Sequence, residues 1–152
     1  MDNAKVIAKL NDILRHEWTG VAQYAQHSFM VQDLWREVFA KLFREGAEES
    51  FGHAQKIGDK IVALGGVPTV DRNEVRQSTD LHEMLRYALD FERTAVKLYA
   101  EALALVGDDD VPLRVLLEDI ILEEQEGVDH LQKLLAQPRA AAAKDKREGK
   151  VG

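Results

Sequence analysis

Four stretches of this chain repeat apolar residues at alternating spacings of three and four, and each is long enough for about seven helical turns. The first reads Ile7, Leu10, Leu14, Glu17, Val21, Tyr24, Ser28, Val31. The second reads Phe39, Phe43, Ile57, Ile61, Leu64, with Leu42 and Ala54 beside them and Gly46, Ser50 and His53 on the same stripe. The third is Leu81, Leu85, Ala88, Glu92, Val96, Tyr99, Leu103, Val106, and the fourth Leu113, Leu117, Ile120, Ile121, Glu124, Val128, Leu131, Leu135. Residues three and four apart share one face of a helix. Four long amphipathic helices can bury such stripes only against one another. Each stripe is broken near its middle by a polar side chain: Glu17, His53, Glu92 and Glu124. A polar group in an apolar stripe costs free energy unless it is hydrogen-bonded or bound to something.

The signals between the stripes fix the connections. Asp2 or Asn3 can cap the first helix, and a turn is expected near Val31-Gln32-Asp33, where no Gly or Pro stands. Gly65-Gly66 and Pro68 end the second helix. Residues 65–79 mix Gly, Pro, Asp, Asn, Arg and Ser without periodicity, and at roughly 3.3 Å per residue they can run the length of a helix as a crossover. Asp80, with Glu83 three residues on, has the spacing of a capping box at the start of the third helix. Gly107 ends that helix, Asp108-Asp109-Asp110 leads into the next, and Pro112 suits its first turn. The expectation is an all-α four-helix bundle with one long crossover between helices two and three, over residues 1–137. Residues 138–152, alanine- and lysine-rich without an apolar face, read as a flexible or frayed helical tail.

Composition narrows the function. The formal charge of −7 argues against nucleic acid and anionic membrane surfaces as partners, and suits cations. The absence of cysteine removes disulfides, zinc ribbons, Fe–S clusters and thiol catalysis. MDNAKVIAKL lacks the continuous apolar core of a signal peptide, and no apolar run of about 18 residues appears, so a cytoplasmic protein is expected.

The four mid-stripe polar residues carry the chemistry. Three converging carboxylates repel one another and have raised pKa values unless a cation sits among them. Carboxylates with an imidazole suit iron or manganese, and zinc less distinctively. The two halves also correspond. From Glu17 the offsets to Ser50 and His53 are 33 and 36; from Glu92 the offsets to Glu124 and Gly127 are 32 and 35. The halves look like a pair of Glu…Glu-x-x-His units, the first lacking its second Glu at Ser50 and the second lacking its His at Gly127.

Three segments carry a family resemblance: EWTGVAQYAQH around Glu17, HAQKIGDKIVALGGVPTV after His53, and ILEEQEGVDHL around Glu124. Over about residues 1–135 the chain resembles the ferritin-like superfamily, and bacterioferritin in particular. The resemblance implies Glu17 and Glu92 as terminal carboxylate ligands, Glu124 as a carboxylate bridging two irons, His53 as an imidazole ligand and Tyr24 as a neighbour of the site with a catalytic role. It implies iron as cofactor and substrate, O2 or peroxide as oxidant, ferroxidase-type activity and a homo-oligomer, a dimer or a 24-subunit shell. Two of the family's six ligands are absent, at Ser50 and Gly127. Phe51 stands at the family's haem-ligating methionine, so haem by that route is not expected.

Other readings stay open beside this one: a ferritin-like subunit without turnover, acting as a structural or partner component, and a mononuclear metal site built from the four surviving ligands. Glu49, four residues before His53, and Glu126 with His130 offer substitute donors at helical spacing. A rubrerythrin-like peroxidase lacks the cysteines its extra iron domain needs. His27 and His130 read as surface or interface residues, His16 and His82 carry no signal, and Trp18 and Trp35 read as subunit-contact or core aromatics. Glu48-Glu49 and the aspartate run read as solvated faces and caps.

Overall fold

Asp2 caps the first helix by accepting from the Lys5 amide at 3.2 Å, and Asp80 and Asp110 do the same for the third and fourth, from Glu83 and Leu113. The computed structural model describes residues 1–136 and contains α1 (Asn3–Met30), α2 (Arg36–Ala63), α3 (Leu81–Val106) and α4 (Val111–Leu135). The expectation for 138–152 lies outside the described residues. Among those described, no helix is long and apolar enough to cross a membrane.

The turn between α1 and α2 is made by Asp33 in the left-handed region (φ 78°), a conformation that Asp tolerates better than most residues. Its Oδ1 accepts from the Leu34 amide, and Arg36 folds back to donate to the carbonyls of Val31 and Phe29 at the end of α1. At the end of α2, Gly65 takes φ 87°. The Gly66 amide reaches Ile61 O and the Gly65 amide Val62 O, the paired bonds of a Schellman ending. The expected capping box at Asp80 forms only in part, because the Glu83 carboxylate accepts from the Tyr87 hydroxyl of the next turn.

α1 packs on α2, α3 on α4, and α1 on α3. Residues 65–80 cross over along α1, held by a row of its polar side chains. Asn11 bonds Val67 O and the Thr69 amide, and Trp18 Nε1 donates to Thr69 O. Thr19 accepts from the Asn73 amide, Gln23 accepts from the Arg76 amide, and His27 Nε2–H donates to Arg76 O at 3.0 Å. His27 is therefore buried rather than a surface residue, and Trp18 anchors the crossover, its ring beside Phe51.

Among the described residues the core has two apolar clusters. One holds Leu10, Leu14, Ile57, Tyr99 and Ile120; the other holds Tyr24, Phe43, Ala88, Phe91 and Val128. Along every helix the break between them falls at the level of Glu17, His53, Glu92 and Glu124.

Candidate metal centre

All four polar residues are buried, Glu17 fully and Glu92 with 8% exposure. Helical phase puts them there, since each lies on the stripe that also supplies the clusters above and below it. Ligand atoms of Glu17, His53 and Glu124 come within 4.8 Å of one another. His53 Nδ1 lies 2.8 Å from Glu124 Oε1 and 3.6 Å from Glu17 Oε1. Despite the short distance, Nδ1 makes no well-formed hydrogen bond among the described residues, so these are contacts between charges. Glu92 stands next to Glu124, on the Gly127 side.

The groups that orient these four side chains are ones whose role the stripe pattern does not reveal. His53 Nε2 lies 2.7 Å from Glu123 Oε2, so Nε2 carries the proton when the ring is neutral and Nδ1 presents its lone pair inward. Tyr24, on α1, donates to Glu92 Oε1 at 2.5 Å; Tyr99, on α3, donates to Glu17 Oε1 at 2.9 Å. Each tyrosine stands seven residues after its own half's glutamate and bonds the glutamate of the other half. That repeat was the available signal for Tyr99. For Glu123 the only sequence signal was its place next to Glu124. Gly46 sits on the stripe because the Tyr24 ring fills its side-chain space, with a Cβ there meeting ring atoms at 2.8–2.9 Å. Gly20 is packed in the same way, against Phe91 and Ser50 Oγ. His16 stacks on Phe91 with ring centroids 4.0 Å apart, and Nε2–H reaches Phe91 O.

The electrostatics are those of a cluster short of positive charge. Burial raises Glu17, and raises Glu92 well above the ordinary carboxyl value with the help of Glu124 beside it. Glu124 is raised by burial too, against the pull of Glu92 and His53. Burial also works against a charged His53, but Glu124 and Glu17 outweigh it and push the imidazole up to about 11. Without a metal, one imidazolium and retained protons balance three glutamates. Glu17 Oε2 and Glu92 Oε2 are buried without a hydrogen-bond partner among the described residues. Such orphaned oxygens are costly, and hard oxygens beside an inward-facing imidazole are what a divalent first-row cation takes as ligands. The residues present fit a metal.

A further group, Glu49, His53 and Glu123, lies on the outer side of His53, also with ligand atoms within 4.8 Å of one another. Glu49 is thus near the site as well as on an acidic helix face. Glu126 and His130 are exposed, and neither falls in either group.

The ferritin-like domain family matches residues 7–141. The chain is 37% identical to the bacterioferritin of Rhodobacter capsulatus over 134 residues, covering 86% of this chain and 82% of the relative. It is 33% identical to the bacterioferritin of Mycobacterium bovis over 135 residues, covering 86% and 83%. Among solved structures it is similar to the ferritin-like, diiron-carboxylate proteins of Bacillus anthracis, with a TM-score of 0.87 at 31% identity, covering 90% of this chain and 99% of that one. It also resembles the R. capsulatus bacterioferritin described with a metal-free dinuclear site and haem iron in a crystallographic special position, with a TM-score of 0.79 at 34% identity, covering 87% and 84%. With its four-helix architecture and crossover, the chain belongs to the ferritin-like family, and its named relatives are bacterioferritins.

Proposed function

We propose that this protein binds Fe(II) among Glu17, His53, Glu92 and Glu124 and oxidises it for storage or detoxification. The observation that carries the reading is the convergence of Glu17, His53 and Glu124 at one level of the bundle, beside carboxylate oxygens left without partners. Iron is the substrate. Two Fe(II) supply the two electrons that reduce O2 to hydrogen peroxide, or peroxide to water, and the glutamates hold the ferric charge that results. Tyr24 and Tyr99 keep one oxygen of Glu92 and of Glu17 fixed and leave the other free. Binding has to displace the proton on His53, so it releases protons and strengthens as pH rises.

The test is anaerobic loading with Fe(II), admission of O2, and measurement of oxygen uptake and near-ultraviolet ferric absorbance. Wild type should exceed the protein-free rate, and Glu17→Gln or Glu124→Gln should lose at least tenfold, since loss of even a group behind the ligands costs about 10–100-fold. A wild-type rate equal to that of iron alone would reject the proposal.

One observation favours a second reading, a structural subunit without turnover. A charged His53 already offsets part of the carboxylate charge with no metal present. In that case metal-stripped protein should melt at the same temperature with and without added Co(II), whereas a metal site stabilises by mass action.

The reading includes self-association. Phe29 and Phe51 are 70% and 45% exposed on the α1/α2 face and flank a groove of about 310 Å³ that also touches Val21, Ala25 and Ala47. Among the groove's lining residues no Met, His, Cys or Tyr is available as an axial haem ligand. We read this face as a contact with a second copy that binds no haem. Sedimentation as a monomer, or a Soret band that titrates to saturation with hemin, would count against it.

A further inference from the structure

The two ligand positions this chain lacks leave marks in its structure. Beside Gly127 a cavity of about 330 Å³ opens to the surface, lined among others by Tyr24, Glu45, Glu49, Glu92 and His130. Glu92 is nine-tenths buried. Its Oε1 is taken by Tyr24, and its Oε2 has no partner among the described residues. A Cβ on Gly127 would stand 3.5 Å from that Oε2, so the orphaned oxygen faces the space that a larger side chain at 127 would fill. Ser50 does not supply the missing carboxylate, and its Oγ is packed toward Gly20. The neighbouring residue does reach the region: Glu49 lines the cavity and has an oxygen within 4.8 Å of the ligand atoms of His53 and Glu123. Burial, and then the charge of Glu92, raise the Glu49 carboxyl, so the two carboxylates feel each other.

We propose that Glu49 replaces the carboxylate absent at position 50, and that a second divalent cation sits between Glu49 and Glu92, with coordination positions open to the cavity beside Gly127. This rests on the metal reading of the buried cluster and adds to it an asymmetry between two ions. The ion at Glu17, His53 and Glu124 is enclosed. The second has few protein donors, completes its shell with water, and exchanges with solvent. Hard divalent cations accept such part-hydrated sites. His53 serves only the enclosed ion, because its Nε2–H stays with Glu123.

Co(II), which O2 does not oxidise on this timescale, is the probe. Metal-stripped full-length protein is titrated by calorimetry and by visible absorbance. Wild type should take two ions per chain, with the weaker one removed by dialysis. Glu49→Gln should weaken the second ion at least tenfold and leave the first unchanged. Gly127→His should tighten the second at least tenfold, the added Cβ meeting Glu92 only at ordinary contact distance, 3.4–3.6 Å. One ion per chain in wild type, or two unaltered affinities in Glu49→Gln, would overturn the proposal while leaving the enclosed site standing. Absence of any binding in wild type would remove the metal reading itself, and this proposal with it.

Discussion

At the scale of single residues the site depends on the room around its tyrosines. Gly46 gives the Tyr24 ring its seat, and that seat aims the hydroxyl at Glu92. Gly46→Ala puts a methyl group at 2.8–2.9 Å from the ring, an overpacking that should cost about 1–3 kcal/mol. It should also shift Tyr24 away from Glu92. Gly58 lies mid-helix on α2, and a methyl group added there meets nothing within 4 Å, so Gly58→Ala should instead gain up to about 1 kcal/mol of helix propensity. Urea melts of the two variants check the opposite signs. Destabilisation by both would mean that α2 tolerates no added methyl and that the Tyr24 contact is nothing special. The four mid-stripe residues were legible in the sequence because a carboxylate or an imidazole on an apolar stripe at helical spacing contradicts its surroundings. Tyr99 was less so, because a tyrosine in a stripe looks like ordinary core; its spacing of seven from Glu92, matching that of Tyr24 from Glu17, hints at a role, and its bond to Glu17 supplies one. Glu123 was hidden for the opposite reason: it is a charged residue on a charged helix face, whereas Glu49 stood out by its spacing of four from His53.

At the scale of elements, the helices and their ends could be read locally, since caps, stripes and glycine endings involve residues within a few positions of one another. The crossover could be recognised as one, but its attachment could not. Asn11, Trp18, Thr19, Gln23 and His27 meet partners about 50 residues away, in a stretch with no periodicity to align them. That is why His27 reads from sequence as a surface residue and proves to be buried. Asn11 makes two of these bonds, one to a carbonyl and one from an amide. Asn11→Ala should cost about 1–2 kcal/mol, the net worth of two ordinary hydrogen bonds. It should also speed amide hydrogen exchange at Thr69 while leaving the middle of α4 protected. Uniformly faster exchange through all four helices would show that the crossover is not a locally held strap.

At the scale of the whole molecule, buried titratable groups tie stability to pH. Burial lowers His27 below its ordinary value of about 6.5, so it stays neutral in the fold and donates to Arg76 O. The unfolded chain takes up that proton first. The stability His27 contributes is therefore complete above about pH 6.5 and is lost as pH falls toward its folded value. Burial raises the glutamates of the cluster too, so the clean measurement is a difference. The Tm gap between wild type and His27→Gln, both metal-stripped, should narrow from pH 7.5 to pH 5. A gap that stays constant would remove His27 from the account. His53 works in the other direction: its pairing with Glu124 and Glu17 is complete below about 6.5 and fades as pH rises through about 11.

The exchanged tyrosines have a consequence for how the two halves depend on each other. A hairpin of α1 and α2 alone would hold Glu17 with no hydroxyl to aim it, and a hairpin of α3 and α4 would leave Glu92 equally loose. Orientation of either carboxylate is a property of the pair. Two identical hairpins meeting about a two-fold axis would make both bonds at once by symmetry. Joined in one chain, the hairpins keep that reciprocity while their remaining donors differ, one half holding the imidazole and the other the extra carboxylate.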